Sequence, residues 1–81
     1  MKVQVKLFAA AKQIVGQEAV EVELPAGATV GVLRAALARQ FPPLAALVGR
    51  AMVSINLDYA TDNTLVPPAA EIACIPPVSG G

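Results

Sequence analysis

The 81-residue sequence contains no histidine, no tryptophan, one cysteine and three aromatic side chains. Without histidine it lacks the commonest general base and the usual transition-metal ligand. It also lacks every Ser-His-Asp or Cys-His nucleophile pair. The single cysteine, Cys74, cannot form an internal disulfide and fits a reducing compartment. Six basic and six acidic residues cancel and are scattered, so no basic surface exists to track phosphates and nucleic acid is not an expected partner. No apolar run approaches the roughly 20 residues that a membrane span requires. The opening "MKVQVKLF" alternates rather than placing a charged start before an apolar block, so no signal-peptide pattern is present. The expected location is the cytoplasm, and neither a membrane nor a metal is an expected partner.

Other chemistry is missing as well. Cys74 sits among Ile72, Ala73 and Ile75 with no cation nearby in sequence, the setting of a buried structural thiol and not of a reactive one. Asp58 and Asp62 share a polar segment, but two carboxylates make a poor metal site. Gly27 and Gly31 flank a predicted helix start without the spacing of a dinucleotide-binding loop. By its side chains alone, the chain is a poor enzyme.

What is present is a high apolar content. Hydrophobic residues make up 56% of the chain, which excludes a solvated linker. Sixteen of them are alanine, so the core of large side chains is smaller than that figure suggests. A domain of this size leaves apolar material exposed. That surplus fits either a protein partner or an alanine-rich background.

Patterning organises the chain into one domain over residues 1–75 and a tail over 76–81. Val3, Val5 and Leu7 alternate with Lys2, Gln4 and Lys6, predicting a strand with one buried face. Phe8 falls on the polar side of that alternation. "AAAKQIVG" predicts a short helix with Gly16 as a left-handed stop. Val20, Val22 and Leu24 alternate with Glu21 and Glu23 in a second strand, followed by a turn at "PAGA". Thr29 is a plausible N-cap for the main helix, in which Val30, Leu33, Leu37 and Phe41 recur at helical spacing and Arg34 and Arg39 lie off that stripe. Pro42-Pro43 ends it, and "LAALVG" could add a further helical turn. "MVSINL" predicts a third strand, "DYATDNT" a polar loop, and "LVPPAA" a turn. "EIACI" reads as a last strand, apolar on both faces and so central in its sheet. The order strand, short helix, strand, long helix, strand, strand predicts an α+β domain with a mixed sheet and the main helix on one face. The other face would then be solvated or bind a partner.

The chain ends "IPPVSGG". A terminal carboxylate becomes an acyl donor once it is converted to a mixed anhydride, typically with ATP. Glycine has no Cβ, so Gly80 and Gly81 form a thin tip whose carbonyl is open on both faces. Pro76-Pro77 restricts the chain just before that tip and holds it extended. A Gly-Gly end alone also suits a frayed terminus; the prolines between it and a central strand are what single it out.

"KLFAAAKQIVG", "INLDYATDNTLV" and above all "EIACIPPVSGG" resemble the small subunits of molybdopterin synthase, sulfur carriers with a β-grasp, ubiquitin-like fold. The resemblance runs the length of the chain. It implies that a partner activating enzyme adenylates Gly81 with ATP, that a sulfur donor converts it to a thiocarboxylate, and that no cofactor is held permanently. It further implies that the tail enters the large subunit of molybdopterin synthase, with Ser79 and Gly80 threading its channel. There sulfur passes to cyclic pyranopterin monophosphate within a heterotetramer, and the catalytic residues belong to the large subunit. Phe8, Tyr59 and Ile75 stand where this family places apolar interface contacts. Lys12 stands where many relatives carry an arginine that can pair with the partner; as a lysine it lacks the bidentate fork, and a solvated helix lysine is an equal reading. Relatives usually have Gly-Asp-Glu before the last strand where this chain has Ala69-Ala70-Glu71. If that turn needs a positive φ, Ala69 is strained unless Pro67-Pro68 reshapes it. Three other readings remain: a sulfur carrier for thiazole synthesis, a ubiquitin-like modifier joined to lysines through the same terminus, and a binding module with an incidental Gly-Gly end.

Overall fold

Among the described residues, five strands pair into one sheet. The structure, a computed structural model, describes residues 1–77. In chain order the elements are β1 (Lys2–Leu7), α1 (Ala9–Val15), β2 (Ala19–Glu23), α2 (Val30–Gln40), α3 (Ala45–Val48), β3 (Met52–Ile55), β4 (Asp58–Ala60) and β5 (Ile72–Ile75). A short 3-10 turn at Pro42–Leu44 joins α2 to α3. The strand order is β2-β1-β5-β3-β4, with β1 and β5 parallel and every other pair antiparallel. This is the expected mixed sheet, with the doubly apolar β5 at its centre, and the fold is the ubiquitin-like β-grasp.

The inner face of the sheet carries Val3, Val5 and Leu7 from β1, Val20 and Val22 from β2, Val53 and Ile55 from β3, and Ile72 and Cys74 from β5, all buried. Helix α2 covers them with Val30, Leu33, Ala36 and Leu37. Phe41, expected to continue that stripe, is instead the C-cap residue and only partly buried, because the helix stops at Gln40. Thr29 caps the N-terminus as its sequence position suggests: its Oγ1 accepts the Val32 N–H at 3.4 Å. Leu33, Leu37 and Leu44 are essentially inaccessible, so truncating any one to alanine should cost about 2–5 kcal/mol. Among the described residues, no helix is long and apolar enough to cross a membrane.

Two features depart from the sequence expectation. The third strand stops at Ile55 and not at Leu57, and the start of the supposed polar loop is a fifth strand, β4. Asn56 and Leu57 both take positive φ, 50° and 73°, which reverses the chain in two residues with the hand of a type I′ turn. Asp58, Tyr59 and Ala60 then pair with Ile55, Ser54 and Val53. The usual turn signal is Asn-Gly; with leucine in the glycine position the hairpin is invisible to composition.

Arg34 is the second departure. Although off the apolar stripe, its side chain is only 20% exposed. Its guanidinium donates to the carbonyls of Val48 and Ala51 at 2.5 and 2.6 Å and to the Asp62 carboxylate at 2.7 Å. One side chain thereby ties α2 to the end of α3, the entry of β3 and the 61–64 loop.

Candidate functional site

Because side chains alternate along a strand, the residues that leave the inner face populate the outer one. The register assembles them in rows. Ile75 of β5 pairs with Met52 of β3. Phe8, one step beyond the Leu7–Cys74 pair, lies on Ile75's other side and donates its N–H to the Cys74 carbonyl at 3.3 Å. The next row runs Ala19, Lys6, Ala73, Ser54, Tyr59 across all five strands. Among the described residues, no helix covers this face. Phe8 is 45% exposed, Met52 49% and Tyr59 68%, with Ile75 half-buried between Phe8 and Met52.

The outer face thus has two halves. Around the end of β5 it is apolar: Phe8, Ile75, Met52, Ala73 and Tyr59. Toward the start of β5 it is charged, with Lys2 paired to Glu21 at 3.7 Å and Lys6 to Glu71 at 2.9 Å. These pairs are well exposed and add at most about 1 kcal/mol each, so their effect is to keep that half polar. A shallow groove lined by Lys2, Gln4, Lys6, Ala69, Ala70 and Glu71 lies there, at the opposite end of β5 from the carboxyl-terminal segment. Its lysines are already matched by carboxylates, and it carries no candidate chemistry.

The chain leaves the sheet through the apolar half. Pro76, next after β5, is buried and Pro77 is exposed. The carboxyl-terminal segment therefore departs from the central strand between Phe8 and Met52, with exposed apolar side chains on both flanks. Ser79, Gly80 and Gly81, expected to carry the chemistry, lie outside the described residues.

Of the four residues expected to contact a partner, Phe8, Tyr59 and Ile75 share this outer face. Lys12 does not: it projects from α1 and pairs with Glu18 at 3.4 Å. Met52 was not singled out from the sequence, yet it completes the row beside Ile75. Its alternation with the inward Val53 and Ile55 could have placed it there.

Cys74 lies on the inner face, 1% exposed. Burial pushes its thiol above the ordinary value, and the Arg34 guanidinium, brought near by α2, only partly opposes this. A protonated, enclosed thiol is not a nucleophile. Among the described residues, then, the outer face presents exposed apolar side chains and no thiol.

Residues 5–81 match the ThiS family. The chain is 32% identical over its whole length to the molybdopterin synthase sulfur carrier subunit of Arabidopsis thaliana, covering 84% of that protein. It is 34% identical over its whole length to the protein of the same name from Caenorhabditis briggsae, covering 99% of it. Among solved structures it is similar to SAMP1 of Haloferax volcanii, a small archaeal modifier protein, with a TM-score of 0.86, 30% identity and full coverage of both chains.

Proposed function

Because the chain belongs to the ThiS family, we propose that it is the sulfur-carrying small subunit of a molybdopterin synthase, with the carboxylate of Gly81 as the carrier group. One observation bears most of the weight. The central strand hands the chain to a Pro-Pro-Val-Ser-Gly-Gly end from the middle of an uncovered apolar surface, in a protein with no histidine and a buried thiol. Such an arrangement suits delivery of a reactive terminus into another protein's active site. The names of the curated relatives support the same assignment.

The chemistry balances as follows. An activating enzyme joins the Gly81 carboxylate to the α-phosphorus of ATP, releasing pyrophosphate and leaving an acyl adenylate. Sulfide from a donor attacks the acyl carbon and expels AMP, giving a thiocarboxylate. Within the large subunit that sulfur is transferred to cyclic pyranopterin monophosphate, and water returns the terminus to a carboxylate. Two such transfers build the dithiolene. This chain supplies the docking surface of Phe8, Ile75, Met52 and Tyr59 and a tip slim enough to reach the acceptor; the large subunit supplies catalysis.

Intact mass spectrometry tests the proposal. After incubation with ATP, the activating enzyme and a sulfur source, the chain should gain the mass of one oxygen-to-sulfur exchange. Deletion of Gly80-Gly81 should abolish the gain. An unmodified mass under conditions that convert an established carrier would refute the assignment.

A second reading has a specific observation in its favour, the close similarity to a small archaeal modifier protein. The same adenylate would then be captured by a lysine amine of a target, forming an isopeptide bond. Gly81-derived remnants on lysines of other proteins, found by peptide mapping, would favour that reading; thiocarboxylate without such remnants favours the carrier.

A further inference from the structure

Two unfavourable features meet at Leu57. Its φ of 73° lies in the left-handed region, where a Cβ crowds the following carbonyl and where a type I′ turn normally places glycine. Its side chain is also 85% exposed, the most exposed large apolar side chain among the described residues. A glycine there would remove both at once. Nor is the tip loose. Asn56 donates its N–H to the Glu71 carbonyl at 2.8 Å, and its Oδ1 accepts the Glu71 N–H at 3.0 Å, so the reversal is pinned to the start of the central strand. The fold holds a leucine out into water, on a fixed support, in a conformation that disfavours it. Backbone strain kept in place by surrounding hydrogen bonds is a recurrent mark of binding sites.

Its position says what it could bind. Strand β3 runs from Met52, beside Ile75 where the tail departs, to Ile55, beside Ile72 at the other end of β5. Leu57 follows after Asn56 in the turn, two residues before Tyr59. Three residue steps at about 3.3 Å each separate the two ends of the strand, roughly 10 Å. A partner gripping only the tail and its apolar collar would hold the carrier at one end of the sheet and leave it free to swivel. A second contact at the hairpin tip, with Tyr59 bridging the two, removes that rotation. We propose that Leu57 is a second anchor, inserting into an apolar depression on the protein that receives the carboxyl-terminal tail. This inference rests on the carrier reading and takes the synthase large subunit as the occupant.

The test measures affinity for the purified large subunit by calorimetry, and thermal midpoints, for the unsubstituted chain and for Leu57→Gly, Leu57→Asn and Leu57→Met. Glycine and asparagine both tolerate positive φ, so these two variants should melt at or above the temperature of the unsubstituted chain. They should nevertheless bind about tenfold more weakly, the effect of losing one buried leucine contact. Methionine keeps an apolar side chain and should bind within about twofold of leucine. A gain in stability with a loss in affinity is an outcome that simple damage to the fold cannot produce. If the unsubstituted chain binds and both Gly and Asn variants bind equally well, the anchor role is overturned while the carrier reading stands. The same holds if sedimentation shows the variants changing only self-association of the chain. If the unsubstituted chain does not bind the large subunit at all, the carrier reading fails and the anchor with it.

Discussion

Replacing Ala69 with glycine should stabilise this protein. Ala70 donates its N–H to the Pro67 carbonyl at 3.4 Å, and Ala69 has a φ of 59°. With Pro68 second and a positive φ third, this is the pattern of a type II turn, whose third position favours glycine. Pro67-Pro68 has therefore not reshaped the turn to suit alanine. Holding an L-residue in the left-handed region costs about 1–2 kcal/mol. Glycine would remove that cost but give the unfolded chain more freedom, worth about 0.4–1 kcal/mol in the opposite direction. The net gain is about 0.5–1 kcal/mol. For 81 residues at about 2.1 cal/mol/K each, the unfolding entropy is about 170 cal/mol/K, so the midpoint should rise by about 3–6 °C. Thermal unfolding followed by circular dichroism reads this directly. Gly16→Ala is the mirror experiment: Gly16 caps α1 at a φ of 78° with open space around it, so the substitution introduces strain without a clash and should lower the midpoint. If Ala69→Gly leaves the midpoint unchanged or lowers it, the strain argument is wrong, and the corresponding expectation for Leu57 weakens with it.

Three further expectations follow from the packing. Arg34→Met would leave the Val48 and Ala51 carbonyls without their donor and should cost about 2–3 kcal/mol, read as a fall in the urea midpoint; Arg34→Lys, lacking the planar fork, should recover only part of it. Cys74 has a folded-state pKa raised by burial, so the stability linked to it is complete below the ordinary value of about 9 and declines as pH rises from there toward the folded value. Stability measured from pH 8 to 10 should therefore fall more for the unsubstituted chain than for Cys74→Ala, and equal slopes would contradict the buried, protonated thiol. Phe8→Ala and Tyr59→Ala remove exposed side chains and should shift the thermal midpoint little, yet weaken binding to the large subunit; a large loss of stability would show instead that these rings pack as core.

Much of the fold was legible because its strands alternate strictly and its main helix keeps one apolar stripe. Val3, Val5 and Leu7 against Lys2, Gln4 and Lys6 define which side of β1 is buried before any partner strand is known. The same alternation marks Phe8 as facing outward. The β3–β4 hairpin was not legible, since its turn is Asn-Leu and its second strand is the polar Asp-Tyr-Ala. Turn propensity is local, whereas this reversal is stabilised by Asn56 reaching Glu71, 15 residues away. Arg34 lies off the apolar stripe as its spacing indicates, but helical periodicity could not show that α3 and the entry of β3 bring carbonyls to meet it.

Local chemistry, in short, is written in the chain. The absence of histidine and the lone cysteine restrict what side-chain chemistry is open to it, because residue type decides that without reference to distant contacts. Which exposed apolar residues stand together is a matter of strand register, set by hydrogen bonds between segments as far apart in the chain as Val5 and Ile72. Only the parallel pairing of β1 with β5 puts Phe8 beside Ile75, and only the antiparallel pairing of β3 puts Met52 on its other side. The surface from which the tail emerges therefore belongs to the tertiary structure, although every residue in it is ordinary when read along the chain.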